Sequence, residues 1–325
     1  MPRISLDLES LIADGHLTSA EAARLEALAL PDRKNTLLIN LFLIFGALSV
    51  AGGMIALVPN AATGLVLALL ALGGAEFIRR GTQGESLKTL GTALMLMGTM
   101  GLAGWIGWEF QEMENGTLPT LLIAGVLTAA ALWFRSAVIG AFAVLSAGAV
   151  LGSGTGYWHA SYGLFVEEPT VTILVFGLLA GALYRIRNTV AQAWQALLTV
   201  AARTAIFMMN FGFWVGSLWG DRVGEHWLAP EGWADRSAWR DSALNIPDYV
   251  FTLGWAGALA AMIAATRRGS FLSVTSIVFL AIHGYTQYFE YLGAKPETLV
   301  LGGLVLVGLA VGSARYFTRP AKPAA

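Results

Sequence analysis

The sequence predicts an all-α integral membrane protein: about ten transmembrane helices behind a short cytosolic helical hairpin. Two observations carry this reading. The 325 residues are 56% hydrophobic and only 13% charged, about half the charged content of a soluble domain. Apolar runs of about 20 residues, the length a helix needs to cross a bilayer core, recur along the chain. The runs are continuous rather than alternating. In lipid every backbone polar group must bond within its own helix or a closed barrel, so continuous runs select helices. The lipid bilayer is therefore the first partner implied. A net charge of −1 gives no case for nucleic acid. The absence of cysteine excludes disulfides, thiol nucleophiles and thiolate-held metals. No dinucleotide fingerprint, phosphate-binding loop or haem-attachment motif occurs, so no cofactor is implied.

Residues 1–35 are polar and mixed in charge, without the charged-then-apolar order of a signal peptide. Ile4, Leu8, Leu11 and Ile12 share one face of a first helix, which Asp14-Gly15 ends. Thr18-Ser19-Ala20-Glu21 has the spacing of a capping box and opens a second helix. Leu25 and Leu28 give that helix its apolar side, and Pro31 stops it. Such a hairpin serves as a cap on the inner membrane face or as a dock for a cytosolic protein. The run from Leu11 to Ala22 resembles the Leu-x-x-Gly-x-Ile-Ser/Thr-x-x-Glu/Gln-Ala hairpin of a bacterial family of predicted polytopic membrane proteins, a domain of unknown function. The resemblance implies a long series of transmembrane helices after the hairpin, in a bacterial inner membrane. It brings no catalytic residue to carry over.

The spans are expected at Thr36–Leu57, Ala61–Ile78, Leu87–Trp108, Pro119–Phe134, Ala137–Tyr157, Pro169–Tyr184, Ala193–Trp219, Pro247–Ala265, Phe271–Leu292 and Glu297–Tyr316. Together they make a transmembrane domain over 36–316, with a tail over 317–325. Orientation follows from lysine and arginine, which accumulate on cytoplasmic loops. Alternate loops put Arg3, Arg24, Arg33, Lys34, Arg79, Arg80, Lys88, Arg135, Arg185, Arg187, Arg267, Arg268, Arg315, Arg319 and Lys322 on one side. Arg222, Arg236, Arg240 and Lys295 fall on the other. Both termini are therefore expected in the cytoplasm. Small residues recur at Gly98, Gly101, Gly104 and Gly107, at Gly177/Gly181, at Gly212/Gly216/Gly220 and at Gly308/Gly312. They mark helix contacts, because close backbone approach drives association in lipid.

The outward loops carry the remaining polar chemistry. Gly220–Ile246 is the longest and holds His226, Trp227, Trp233 and Trp239. It is expected to fold back on the membrane face, with a short helix after Pro230. His159 and His226, with Glu167, Glu168 and Glu225, are candidates to converge on a metal, although no local ligand spacing supports it.

Polar residues at membrane depth carry more weight, since a charge in a spanning helix costs about 2.5–3.5 kcal/mol on insertion scales. Ser276, His283, Gln287 and Glu290 follow one another at intervals of seven, four and three residues, which is one helix stripe. Gln192, Thr199, Arg203, Asn210 and Ser217 form a second. Helical rise puts Asn210 level with His283 and leaves Arg203 and Glu290 on the order of 20 Å apart. Glu76 is the nearer acid for Arg203, so the two form a candidate structural pair. The stripes predict either a hydrogen-bonded packing seam or a polar cleft between spans seven and nine. The cleft would carry a proton or small solute, with His283 as its titratable group. Three functions follow: a carrier, a non-catalytic scaffold or sensor, and a membrane enzyme with an outward site. Ser276 lies too far along its own helix from His283 for a direct nucleophile–base hydrogen bond.

Overall fold

The computed structural model describes residues 8–28, 45–46, 49, 53, 60–81, 84–113, 116–158, 161–230, 232–266, 270–293 and 295–318. The expected first span, Thr36–Leu57, and the tail from 319 onward lie outside the described residues, apart from isolated positions. The chain divides into two compact units, Met1–Gly98 and Thr99–Ala325.

The first unit holds the hairpin, α1 (Leu8–Ala13) and α2 (Ser19–Leu28). Gly15 takes φ +73° and turns the chain out of α1. Thr18 and Glu21 complete the capping box: the Thr18 N–H donates to Glu21 Oε2 at 2.9 Å, and the Glu21 N–H returns to Thr18 Oγ1 at 3.3 Å. α3 (Ala61–Gly81) follows, and α4 (Glu85–Glu109) begins in this unit. A Cβ at Gly98 would stand 2.7 Å from Leu72 Cγ and 2.8 Å from the Ala68 carbonyl, so only glycine lets the α4 backbone lie this close to α3. Gly104, Gly107, Gly181, Gly308 and Gly312 have no such neighbour within 4 Å among the described residues, so their spacing alone does not make them contact points.

The second unit is built on α5 (Thr117–Phe134), α6 (Ala137–Val150), α7 (Pro169–Arg187), α8 (Gln192–Trp219), α11 (Asp248–Ala265), α12 (Phe271–Leu292) and α13 (Pro296–Thr318). α8 is its axis. Val144, Phe176, Ala205, Ile206, Met208, Phe211 and Val215 form a core where α6 and α7 meet α8. Trp255, Leu259 and Phe279 form a second core where α11 and α12 meet it. Other faces turn large apolar side chains outward: Leu178 is 75% exposed and Leu253 70%. That distribution suits lipid as the surrounding solvent.

Among the described residues, six helices, α3, α4, α5, α7, α8 and α11, are long and apolar enough to cross a membrane. The chain is thus a helical, multi-pass membrane protein. α12 has the length, at 22 residues, but its His283, Gln287 and Glu290 lower its mean hydropathy and it is not among the six.

The span expected over Ala137–Tyr157 is a correction. α6 stops at Val150, and Gly152, at φ +73°, turns the chain into an antiparallel hairpin of β1 (Ser153–Trp158) and β2 (Ser161–Val166). Ser153 pairs with Val166 and Trp158 with Ser161. Three glycines at alternate positions, Gly152, Gly154 and Gly156, each cost a helix about 1 kcal/mol. The residues between and after them include Thr155, Tyr157 and Trp158, which favour strands. After α8, β3 (Asp221–Arg222) pairs with β4 (Asn245–Ile246). Between them run a single turn, α9 (Glu225–Leu228), and the expected helix after Pro230, α10 (Trp233–Ser242).

Candidate functional site

The two polar stripes meet through a third helix. Asn210 on α8 is 1% exposed, and its Oδ1 accepts the Trp255 indole N–H at 2.8 Å. Its own Nδ2 donates to the Ile206 carbonyl at 2.8 Å. Trp255, on α11, also lies against His283, with ring centroids 4.7 Å apart. His283 Nε2 contacts the Thr252 carbonyl at 3.1 Å. A carbonyl only accepts, so this bond makes Nε2 the protonated nitrogen and leaves Nδ1 an acceptor. Nδ1 is buried with no partner among the described residues. Nearer the end of α8, Gln287 Nε2 donates to the Ser217 carbonyl at 3.1 Å, and Thr252 Oγ1 donates to the same oxygen at 3.3 Å. α11 therefore stands between Asn210 and His283, and Ser217 joins all three helices.

Ser276, Arg203 and Glu290 make no hydrogen bond to this network among the described residues. Ser276 is fully buried and its hydroxyl has no partner among the described residues. Glu290 is exposed near the far end of α12. Arg203 is exposed, with its guanidinium 4.6 Å from the Phe271 ring centroid. Glu76 holds Arg79 Nε at 2.7 Å and Arg80 Nε at 2.6 Å, both on its own helix.

A cavity of about 330 Å³ opens at the C-terminal end of α8. Phe165, Val215 and Trp219 form its apolar wall, and Glu167, Asp221, Arg222, Glu225, Arg236 and Arg240 its polar wall. Carboxylates that accept backbone N–H groups hold this region together. Glu168 is fully buried before α7 and accepts from Gly224 and His226, both at 2.8 Å. Burial pushes its carboxyl up, and the two N–H bonds offset only part of that. Asp221, 3% exposed, accepts the Thr170 N–H at 2.8 Å and so caps the start of α7 from across the chain. Burial pushes Asp221 up as well, against the pull of Thr170.

Glu225 shows the opposite balance. Burial pushes its carboxyl up, but Arg240 and Arg236 outweigh that and hold it below the usual carboxylate range. Both arginines come from α10 at an interval of four residues, so one helix face clamps one carboxylate. Glu167 pairs with His226 Nδ1 at 2.5 Å. Of the acids expected to converge with His226, Glu167 meets its ring, Glu168 accepts backbone N–H groups and Glu225 is held by two arginines; His159 lies outside the described residues, and no group of three metal-ligating side chains forms among the described residues.

Asp221, Arg222 and Trp255 are the residues that sequence reasoning passes over. A loop arginine counts only as charge in an orientation argument, and a tryptophan in an apolar span reads as lipid-facing. The adjacency of Asp221 and Arg222 to Trp219-Gly220, where α8 ends, is the available signal. No protein-family model, curated protein or solved structure matches the chain.

Proposed function

We propose that the chain is a non-catalytic, solute-binding membrane protein, a receptor or sensor, whose site is the cavity at the end of α8. The polar seam between α8, α11 and α12 acts as a structural lock beneath that site. One observation carries the reading: the seam joins its three helices by hydrogen bonds of Asn210, Ser217, Thr252 and Gln287, whereas the cavity wall keeps Asp221 Oδ1, Arg222 Nε and Arg236 Nε buried with no hydrogen-bond partner among the described residues. Unmade bonds at a cavity wall are available to a ligand; made bonds between helices are not.

The reading includes the membrane arrangement. About ten spans, both termini in the cytoplasm and a bacterial inner membrane place the cavity on the outer face. The α1–α2 hairpin is then available to a cytosolic partner, as a sensor requires. The arginine and lysine asymmetry and the resemblance of the hairpin support this arrangement.

A second reading, a carrier with a proton or solute path along the seam, draws support from the buried, unpartnered Nδ1 of His283. Proteoliposomes separate the two. Binding and uptake of a panel of small polar solutes are measured on the same vesicles. The receptor reading expects saturable binding with no uptake above protein-free vesicles. Uptake that is lost in His283→Ala would overturn it in favour of the carrier.

A further inference from the structure

We propose that the cavity binds a small carboxylate carrying an adjacent hydrogen-bond donor, an α-amino or α-hydroxy acid, with Arg222 and Arg236 on the carboxylate and Asp221 on the donor. The proposal rests on the reading of this cavity as a solute site and names the ligand's chemistry. Arg222 has no ion pair or side-chain hydrogen bond among the described residues, and its Nε is buried. Arg236 gives one Nη to Glu225 at 3.1 Å, while its own Nε is buried with no hydrogen-bond partner among the described residues. Two guanidinium groups with free donors suit a planar carboxylate, which accepts N–H bonds in pairs.

The acidic groups narrow the class. Asp221 is 3% exposed, lines the same cavity, and its Oδ1 has no hydrogen-bond partner among the described residues. Glu225 lies beside it and is already committed to Arg236 and Arg240. A dianion such as phosphate would face the three carboxylates that line the cavity, Glu167, Asp221 and Glu225, whereas a monoanion with a neighbouring ammonium or hydroxyl offers Asp221 a donor. The wall of Phe165, Val215 and Trp219 accepts a short hydrocarbon side chain. About 330 Å³ is room for a molecule of that size.

The test is calorimetric titration of the full chain in nanodiscs with alanine, lactate, acetate, inorganic phosphate and glycerol. The proposal expects alanine or lactate to bind saturably, and acetate at least ten times more weakly. Arg222→Gln should raise the Kd at least tenfold, and Asp221→Asn likewise. Gln287→Ala, in the seam, should leave it unchanged. Asp221 is buried and its variant is the one at risk of misfolding; Arg222→Gln, with an unchanged size-exclusion profile, then carries the test. Equal binding by wild type and Arg222→Gln overturns the proposal. Binding of phosphate or glycerol alone, abolished by Arg222→Gln, overturns the ligand class and keeps the cavity as a solute site. Binding of no probe overturns both.

Discussion

Trp255 joins the two polar residues that helical rise alone puts at one level. Its indole N–H serves Asn210 and its ring lies against His283. Trp255→Phe keeps the aromatic packing on Phe213 and Phe279 but leaves Asn210 Oδ1 buried without a donor. Interhelical hydrogen bonds in membranes average about 0.6 kcal/mol, and a buried unsatisfied acceptor costs about 1–3 kcal/mol. Trp255→Phe should therefore cost about 1 kcal/mol in reversible unfolding in mixed micelles. Adding Asn210→Leu should cost less than the two single changes together. Strict additivity would show that the bond contributes nothing.

Titration tests the carboxylates at the cavity. Asp221 and Glu168 have pKa values raised by burial, so between the ordinary carboxylate value and the raised one the folded state binds more protons. Stability then falls as pH climbs through that window. Asp221→Asn and Glu168→Gln should each flatten this fall in melting curves taken from pH 4 to 8. Glu225 has the opposite sign: its pKa is lowered, so its contribution is present above the ordinary value and is lost as pH falls through the lowered one. The polar stripes were legible at this scale because helical spacing puts Ser276, His283 and Gln287 on one side of one helix. Their partners were not, because spacing within a helix says nothing about which neighbour, here α11, stands opposite.

At the scale of elements, α10 is held to the cavity by Arg236 and Arg240 on Glu225. Its own sequence is polar and its length, 10 residues, is too short for an isolated helix to be stable in water. Glu225→Ala should therefore raise amide exchange in Trp233–Ser242 by about tenfold, which corresponds to roughly 1.4 kcal/mol, and leave exchange in α8 unchanged. Unchanged protection in α10 would mean that its other contacts suffice. Gly216 is the matching test of packing within the membrane. A Cβ there would meet the Phe251 ring at 2.7 Å, so Gly216→Leu must separate α8 from α11 and should cost about 1–3 kcal/mol. The long apolar helices and the capping box were legible because their signals are local. The β1–β2 hairpin was not: an apolar run before it hid the point where alternate glycines end α6.

At the scale of the whole molecule, composition alone gave the class, because a chain with 13% charged residues and repeated long apolar runs has few soluble solutions. Charge asymmetry predicts which loops face the cytoplasm, and the absence of cysteine makes any introduced thiol unique. On the receptor reading, water and solute reach the cavity at the end of α8 and stop short of the seam. The most direct measurement compares the labelling of Phe165→Cys and Ser276→Cys in intact cells with a small, membrane-impermeant maleimide. Phe165 lines the cavity, and Ser276 is fully buried, where a thiol is nearly isosteric with its hydroxyl. Rapid labelling of Phe165→Cys from outside, and none of Ser276→Cys, is expected. Labelling of Ser276→Cys at a comparable rate would contradict that reading and make the seam an open path.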